Sequence, residues 1–239
     1  MANWTLILPH IKQWEGGLSS NPNDGCADKP SSIINRTGKD YSGYPYHTNK
    51  GVCFKTWVSV APQLGFPATS EAWYNMTTEQ WRKIIKVMFW DKMFLDELPS
   101  QNIAEILLEV RWGSGQGGQG KIFIKELQRL IGIPAKDQDG LFGTGTFNAL
   151  KKYISVKGNE TKLYDALWKF RYKQLDELGK KPAYAWARDG WLNRMNSLFE
   201  RSKNFIMDNP KTFTGIGIGL LVLVGVGYGV YKYLETKTA

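Results

Sequence analysis

Apolar residues recur at helical spacing along most of the chain, and no segment alternates in the manner that predicts a strand. The first amphipathic helix is predicted to run directly into Glu15 and to stop at Gly16 and Gly17. Further helices are predicted over residues 78–90, 101–112, 121–133, 146–154, 162–178 and 183–203. The pattern therefore predicts an all-α body in which Glu15 lies at the C-terminal end of a helix.

One long segment departs from this pattern. From Leu18 to Lys50 the chain is rich in Ser, Asn, Asp, Gly and Pro and shows no sustained periodicity, which predicts a loop. Loops of this length in compact domains are usually functional or mobile.

The C-terminal segment has a different hydrophobic pattern. Asn209 and Pro210 end the helical body, and from Phe213 to Tyr231 the chain is apolar and uncharged, long enough to cross about 30 Å of hydrocarbon. We predict a linker over 204–212, a transmembrane helix over 213–233 and a short tail over 234–239. The glycines of the segment over 213–233 would weaken a soluble helix, but glycine is tolerated in membrane helices. Two pairs of these glycines lie four residues apart, the spacing that allows two membrane helices to pack closely, and they predict self-association: Gly215 with Gly219, and Gly225 with Gly229.

Composition narrows the possible partners. The 239 residues are 42% hydrophobic and 22% charged, which is typical of globular proteins, and the net charge of +9 implies an acidic partner. Nucleic acid, anionic lipid and an anionic wall polymer all carry the negative charge that such a partner needs. The chain contains no phosphate-binding loop, nucleophile elbow or nucleic-acid module, so we expect no nucleic-acid partner and no cofactor.

The two cysteines leave two interpretations open. Cys26 and Cys53 flank loop-like sequence, so they form either a disulfide or two free thiols. Together with His47 they could be imagined as a metal site, but no ligand-spacing motif supports one and we expect no metal. Residues 1–13 lack the features of a cleavable secretory signal.

Two carboxylates suit the chemistry of a glycosidase, which needs one protonated carboxylic acid and a second ionised group or activated water. Glu15 follows Trp14 on an apolar helix face, a setting that favours the protonated acid, whereas Asp24 lies in a polar Pro-Asn-Asp-Gly turn that favours the ionised form. Each local pattern is also typical of an ordinary helix end or turn.

Three short motifs carry a resemblance to a known family. Trp14-Glu15-Gly16-Gly17, Asn21-Pro22-Asn23-Asp24 and Thr48-Asn49-Lys50-Gly51-Val52 resemble the opening of glycoside hydrolase family 108, a group of lysozyme-like muramidases. The nine-residue spacing from Glu15 to Asp24 (24 − 15 = 9) is similar to that of phage-type lysozymes. The resemblance implies that Glu15 is the general acid and that Asp24 and Thr48 hold the attacking water, with residues 25–46 as an insertion before Thr48.

Downstream motifs extend the resemblance to about residue 200. Residues 108–115 resemble the family helix that reads Phe-Asp-x-x-Val-Asn-x-Gly, with Glu109 in place of the Asp and Gly113 in place of the Asn. Residues 127–129, 139–146 and 190–194 resemble the peptidoglycan-binding module that commonly follows this hydrolase. Residue by residue, these later motifs are equally typical of turn glycines, a core Trp and a helix-terminal Arg.

The expected architecture is a lysozyme-like helical muramidase domain over 1–94, a packed helical peptidoglycan-binding domain over 95–203 and the membrane anchor. The resemblance implies hydrolysis of the β-1,4 bond between N-acetylmuramic acid and N-acetylglucosamine, for local wall lysis or penetration. A lytic transglycosylase and a non-catalytic wall-binding protein are the alternatives. The anchor predicts a bacterial inner membrane or the membrane of a phage particle as the location.

Overall fold

A computed structural model of the chain describes residues 1–19 and 48–208. Within these ranges nine α-helices follow one another, and six short 3-10 segments and one π-helical segment connect or extend them. The α-helices are α1 Leu8–Trp14, α2 Phe54–Val60, α3 Ser70–Tyr74, α4 Thr78–Ile84, α5 Gln101–Ser114, α6 Gly118–Leu130, α7 Thr144–Ile154, α8 Asn159–Gly179 and α9 Arg188–Asp208. The π-helical segment, Ile85–Trp90, continues α4, and the 3-10 segments are Trp4–Leu6, Pro62–Leu64, Asp91–Met93, Leu95–Glu97, Ala135–Asp137 and Pro182–Ala187.

The mostly helical character predicted from periodicity is confirmed. Local capping explains several helix starts. The Thr77 hydroxyl and the Gln80 side chain form a reciprocal capping box at the start of α4, and the Ser100 hydroxyl accepts the Ile103 N–H at the start of α5. Two helices in the described residues, α2 and α3, were not predicted.

The expectation of a body without strands is wrong in one place. Three two-residue strands, β1 Leu18–Ser19, β2 Thr48–Asn49 and β3 Val52–Cys53, form an antiparallel sheet in the order β1-β2-β3. Strands this short contain a single alternation, so periodicity cannot reveal them. Lys50 and Gly51 join β2 to β3 with φ of 49° and 76°, the positive values that a two-residue hairpin turn requires.

Helix α5 lies at the centre of the molecule. Every residue from Gln101 to Val110 is buried, and the helix packs against α6, α8 and the π-helical segment. The buried apolar side chains form one cluster that extends from Ala2 to Phe199. Glu105 and Glu109 lie inside this body, and buried carboxylates of this kind require charged or hydrogen-bonding partners. Each has an arginine partner on α9: Arg201 binds Glu105, and Arg194 binds Glu109.

The predicted transmembrane helix over 213–233 lies outside the described residues, as do the linker beyond residue 208 and the paired glycines. In the parts of the chain that the structure describes, no helix is both long and apolar enough to cross a membrane.

Candidate active site

Glu15 forms the C-terminal cap of α1, where the chain leaves the helix with extended backbone angles. Its backbone N–H donates to the carbonyl of Ile11 at 3.0 Å, so the last helical turn fixes the residue. The expected position of Glu15 at a helix end is therefore confirmed. Its side chain is largely buried, with 13% of its surface exposed.

Two donors hold the Glu15 carboxylate. Trp112, near the end of α5, donates from Nε1 to Glu15 Oε1 at 2.5 Å. Arg194, on α9, donates from its guanidinium to the same oxygen at 2.8 Å. We expected an apolar face beside Trp14 to surround the carboxyl group; its immediate partners are instead an indole N–H and a guanidinium.

The hairpin turn approaches the other carboxylate oxygen. A Cβ atom placed on Gly51 would lie 2.1 Å from Glu15 Oε2 and 3.0 Å from the Trp112 ring. Only glycine fits this position, both because of the close approach and because φ is positive. The turn itself is tied down: Lys50 N–H donates to the Gly17 carbonyl at 3.0 Å, and Trp81 Nε1 donates to the Lys50 carbonyl at 2.9 Å.

Aromatic rings support Trp112 from two sides. Its ring meets Phe89 edge to face at a centroid separation of 4.9 Å and Trp81 at 6.4 Å. Phe89 lies in the π-helical segment, a helix type that recurs at functional sites. The indole that binds Glu15 is thus held by packing, which fixes the direction of its N–H.

Glu109 and its partners lie behind Arg194. Arg194 forms an ion pair with Glu109 through Nε and donates to its Oε2 at 3.0 Å, and His10 Nε2 lies 3.6 Å from that same oxygen. Burial would raise the pKa of Glu109, but the charge and hydrogen bond of Arg194, together with the neighbouring His10, lower it to about 2. Glu109 is therefore an ionised counter-ion. Burial would likewise lower the pKa of Arg194, and the two carboxylates raise it instead.

A second buried arginine lies close to this cluster. Burial lowers the pKa of Arg171 to about 10, partly offset by the charge of Glu109. Its guanidinium donates to Ser114 Oγ at 2.6 Å and to Gln174 Oε1 at 2.5 Å. The bond to Ser114 connects α8 to the end of α5, beside the turn that carries Trp112, and the bond to Gln174 lies within α8.

Of the other predicted site residues, Thr48 lies in β2, buried, opposite Ser19 on one side and Cys53 on the other. Strand β1 begins three residues after Glu15, so the sheet places Thr48 and Glu15 in one structural unit. Asp24 lies outside the described residues. The catalytic roles of Asp24 and Thr48 remain predictions.

The structure decides between the two interpretations at Cys53, which is disulfide-bonded. Cys26 and His47 lie outside the described residues. A disulfide sulfur is not a thiolate, so the metal-site alternative loses Cys53 as a ligand. No cluster of metal-binding side chains occurs among residues 1–19 and 48–208.

Comparison with known proteins identifies the class of enzyme. Residues 8–115 match the family model described as Glycosyl hydrolase 108, a span that contains Glu15, Thr48, Glu109 and Trp112. The protein is a glycoside hydrolase. The family match supports a peptidoglycan hydrolase activity.

The fold of this glycoside hydrolase resembles a solved structure described as that of Brucella abortus SagA. The two share 20% identity with a TM-score of 0.53, and the similarity covers 83% of this chain and 91% of that one. At this identity the likeness concerns the fold alone. No curated protein matches the sequence of the hydrolase.

The sequence does not identify Arg194 as a site residue. It belongs to residues 190–194, a motif typical of a binding module, and it lies 179 residues from Glu15 and outside the matched span. Glu109 had a weak signal, because it takes the place of the Asp in the family helix.

Proposed function

We propose that the protein is an N-acetylmuramidase that hydrolyses the β-1,4 bond between N-acetylmuramic acid and N-acetylglucosamine in peptidoglycan. The observation that carries this proposal is the Glu15 carboxylate, held by Trp112 and Arg194 at a helix end within the span that matches a glycosyl hydrolase family. Glu15 donates a proton to the glycosidic oxygen as the bond to the anomeric carbon breaks. Water then attacks that carbon, and Asp24 and Thr48 position it.

The fixed geometry of Glu15 suits this role. General acid catalysis needs the carboxyl group in a defined orientation, and the helix cap, the indole and the guanidinium restrict its rotation together. Donation leaves a carboxylate beside a cation, which favours the charge that forms in the step.

The first experiment measures turbidity loss and new reducing ends on purified peptidoglycan. We expect Glu15→Gln to abolish both, because the amide cannot donate as an acid. Glu79→Gln, an exposed change in the first turn of α4, is the matched control and should keep full activity. Equal activity of the parent and Glu15→Gln would contradict the assignment of Glu15.

The lytic transglycosylase alternative involves the same bond and the same acid but no attacking water. Retained activity in Asp24→Ala, with products that carry an anhydro ring, would favour it over hydrolysis. Reduced activity in both Asp24→Ala and Thr48→Ala would support the assigned water-holding roles. A non-catalytic binding protein does not fit a glycoside hydrolase.

We also propose that residues 213–233 anchor the enzyme in a membrane, in a bacterial inner membrane or a phage particle, and that the helical region over 95–203 contacts the wall polymer. The uncharged apolar run supports the anchor, and the excess of basic residues over 151–211 supports contact with an anionic polymer. The full chain should partition into detergent extracts, and residues 1–208 should not. Recovery of the full chain from delipidated capsids would contradict both membrane locations.

A further inference from the structure

Arg194 bridges carboxylates from two different helices. One nitrogen of its guanidinium binds Glu15 at the end of α1 at 2.8 Å, and two others contact Glu109 on α5. The side chains of Arg194 and Glu15 are each 13% exposed, and that of Glu109 is 7% exposed. A guanidinium suits this task because its planar fork can bind two carboxylates at once.

The bridge is asymmetric in charge. Glu109 stays ionised because its pKa lies at about 2, whereas a general acid must gain and lose its proton in every turnover. Arg194 therefore keeps a permanent counter-ion while Glu15 is uncharged. When Glu15 donates its proton, the same guanidinium already lies beside the new carboxylate.

We propose that Arg194 is a positioning residue for Glu15, that Glu109 holds it in place, and that the catalytic unit therefore includes helix α9. This inference rests on the proposed muramidase function. It means that the region over 95–203, expected to bind the wall, also completes the active site. The family match ends at residue 115, so the matched span lacks a residue that the reaction needs.

The chain contains a matched control. Arg201 lies seven residues after Arg194 on α9 and binds Glu105 at 2.8 and 3.0 Å, one helical turn from Glu109 on α5. Both arginines join α9 to α5 through a buried glutamate. Only Arg194 also contacts Glu15, so a purely structural role predicts similar effects of the two changes.

The experiment compares Arg194→Gln, Arg194→Lys and Arg201→Gln in the full chain. Initial rates on soluble peptidoglycan fragments give kcat and KM, and thermal unfolding gives stability. We expect both glutamine variants to lose similar stability. Only Arg194→Gln should lower kcat, by about 100-fold with little change in KM, since a misplaced catalytic group costs about that much. Arg194→Lys should lose about 10-fold, because it keeps the charge but not the fork.

The pH dependence of activity distinguishes a positioning role from a folding defect, because a loss of folded protein lowers the rate without moving the limbs of the profile. Among the described residues, the charged and titratable groups around the Glu15 carboxylate are Arg194 in contact, Glu109 behind it, and His10 and Arg171 facing Glu109. Lys50 directs its amine to the Met76 carbonyl. Without the guanidinium the alkaline limb of activity should move to higher pH. In Arg194→Lys and Arg201→Gln the limb should stay in place.

The outcomes separate this inference from the proposed function. No muropeptide release by the parent would contradict the muramidase proposal itself. If the parent is active, Glu15→Gln is inactive and Arg194→Gln matches Arg201→Gln in kcat and pH profile, the function stands and the positioning role of Arg194 is refuted. If Arg194→Gln does not fold, a fall in the kcat of folded Arg194→Lys below that of Arg201→Gln supports the inference, and equal values refute it.

Discussion

The close approach of Gly51 to Glu15 yields a sharp test of the site geometry. In Gly51→Ala the new Cβ would lie 2.1 Å from Glu15 Oε2, whereas ordinary contact begins near 3.4 Å. One of the two groups must move by 1.3 Å (3.4 − 2.1). The hairpin is held by hydrogen bonds from Lys50 and Trp81, so we expect the carboxylate to move and to weaken its bonds to Trp112 and Arg194.

Two separate costs follow from this substitution. An alanine at a φ of 76° costs about 1 kcal/mol of folding free energy from backbone strain alone. Displacement of a catalytic group by about 1 Å lowers the rate by about 100-fold. Gly65→Ala is the matched control, because its φ is 78° and its Cβ would meet nothing within 4 Å.

The assay combines urea unfolding with initial rates on soluble peptidoglycan fragments. Both variants should lose about 1 kcal/mol of stability from strain, and only Gly51→Ala should lose activity. A Gly51→Ala enzyme with the kcat of Gly65→Ala would refute the claim that the position of the Glu15 carboxylate governs the rate.

Three further predictions concern the surrounding contacts. Glu109→Gln should cost about 3 kcal/mol near neutral pH because it removes the buried negative charge beside Arg194 and Arg171. Since the folded-state pKa of Glu109 is lowered to about 2, the pairing stabilises the fold above pH 4.5 and is lost as the pH falls towards 2, so urea unfolding should show the variant and the parent converging in acid. Trp112→Phe should lower kcat about 10-fold, because it removes the N–H that binds Glu15. Trp57→Phe removes an N–H to the Pro67 carbonyl and should affect stability alone. Equal kcat values for the two variants would contradict this prediction. Reductant should lower the stability of the parent by about 2–4 kcal/mol and leave Cys53→Ser unchanged; a parent insensitive to reductant would contradict a stabilising disulfide.

Most of the helices and the place of Glu15 could be predicted because both depend on local sequence. The apolar residues at helical spacing end at Trp14, and two glycines follow Glu15. Glu15, which lies between the apolar run and the glycines, is therefore near the helix cap. The same logic located α5 and α9, whose apolar faces are long enough to show a period.

The partners of Glu15 could not be predicted, because they depend on how distant helices cross. Arg194 and Trp112 lie 179 and 97 residues from Glu15 along the chain, and neither has a local signal that names its contact. The short sheet was missed for a different reason. A two-residue strand is defined by its hydrogen-bonded neighbours and not by its own sequence.

The most direct test of the proposed function is mass spectrometry of the products released from purified peptidoglycan in heavy-oxygen water, with the parent and Glu15→Gln side by side. A muramidase should release muropeptides that end in reducing N-acetylmuramic acid and carry one heavy oxygen at the anomeric carbon, and Glu15→Gln should release none. Anhydro products without the label would contradict hydrolysis, and release by Glu15→Gln at the parent's rate would contradict the role of Glu15.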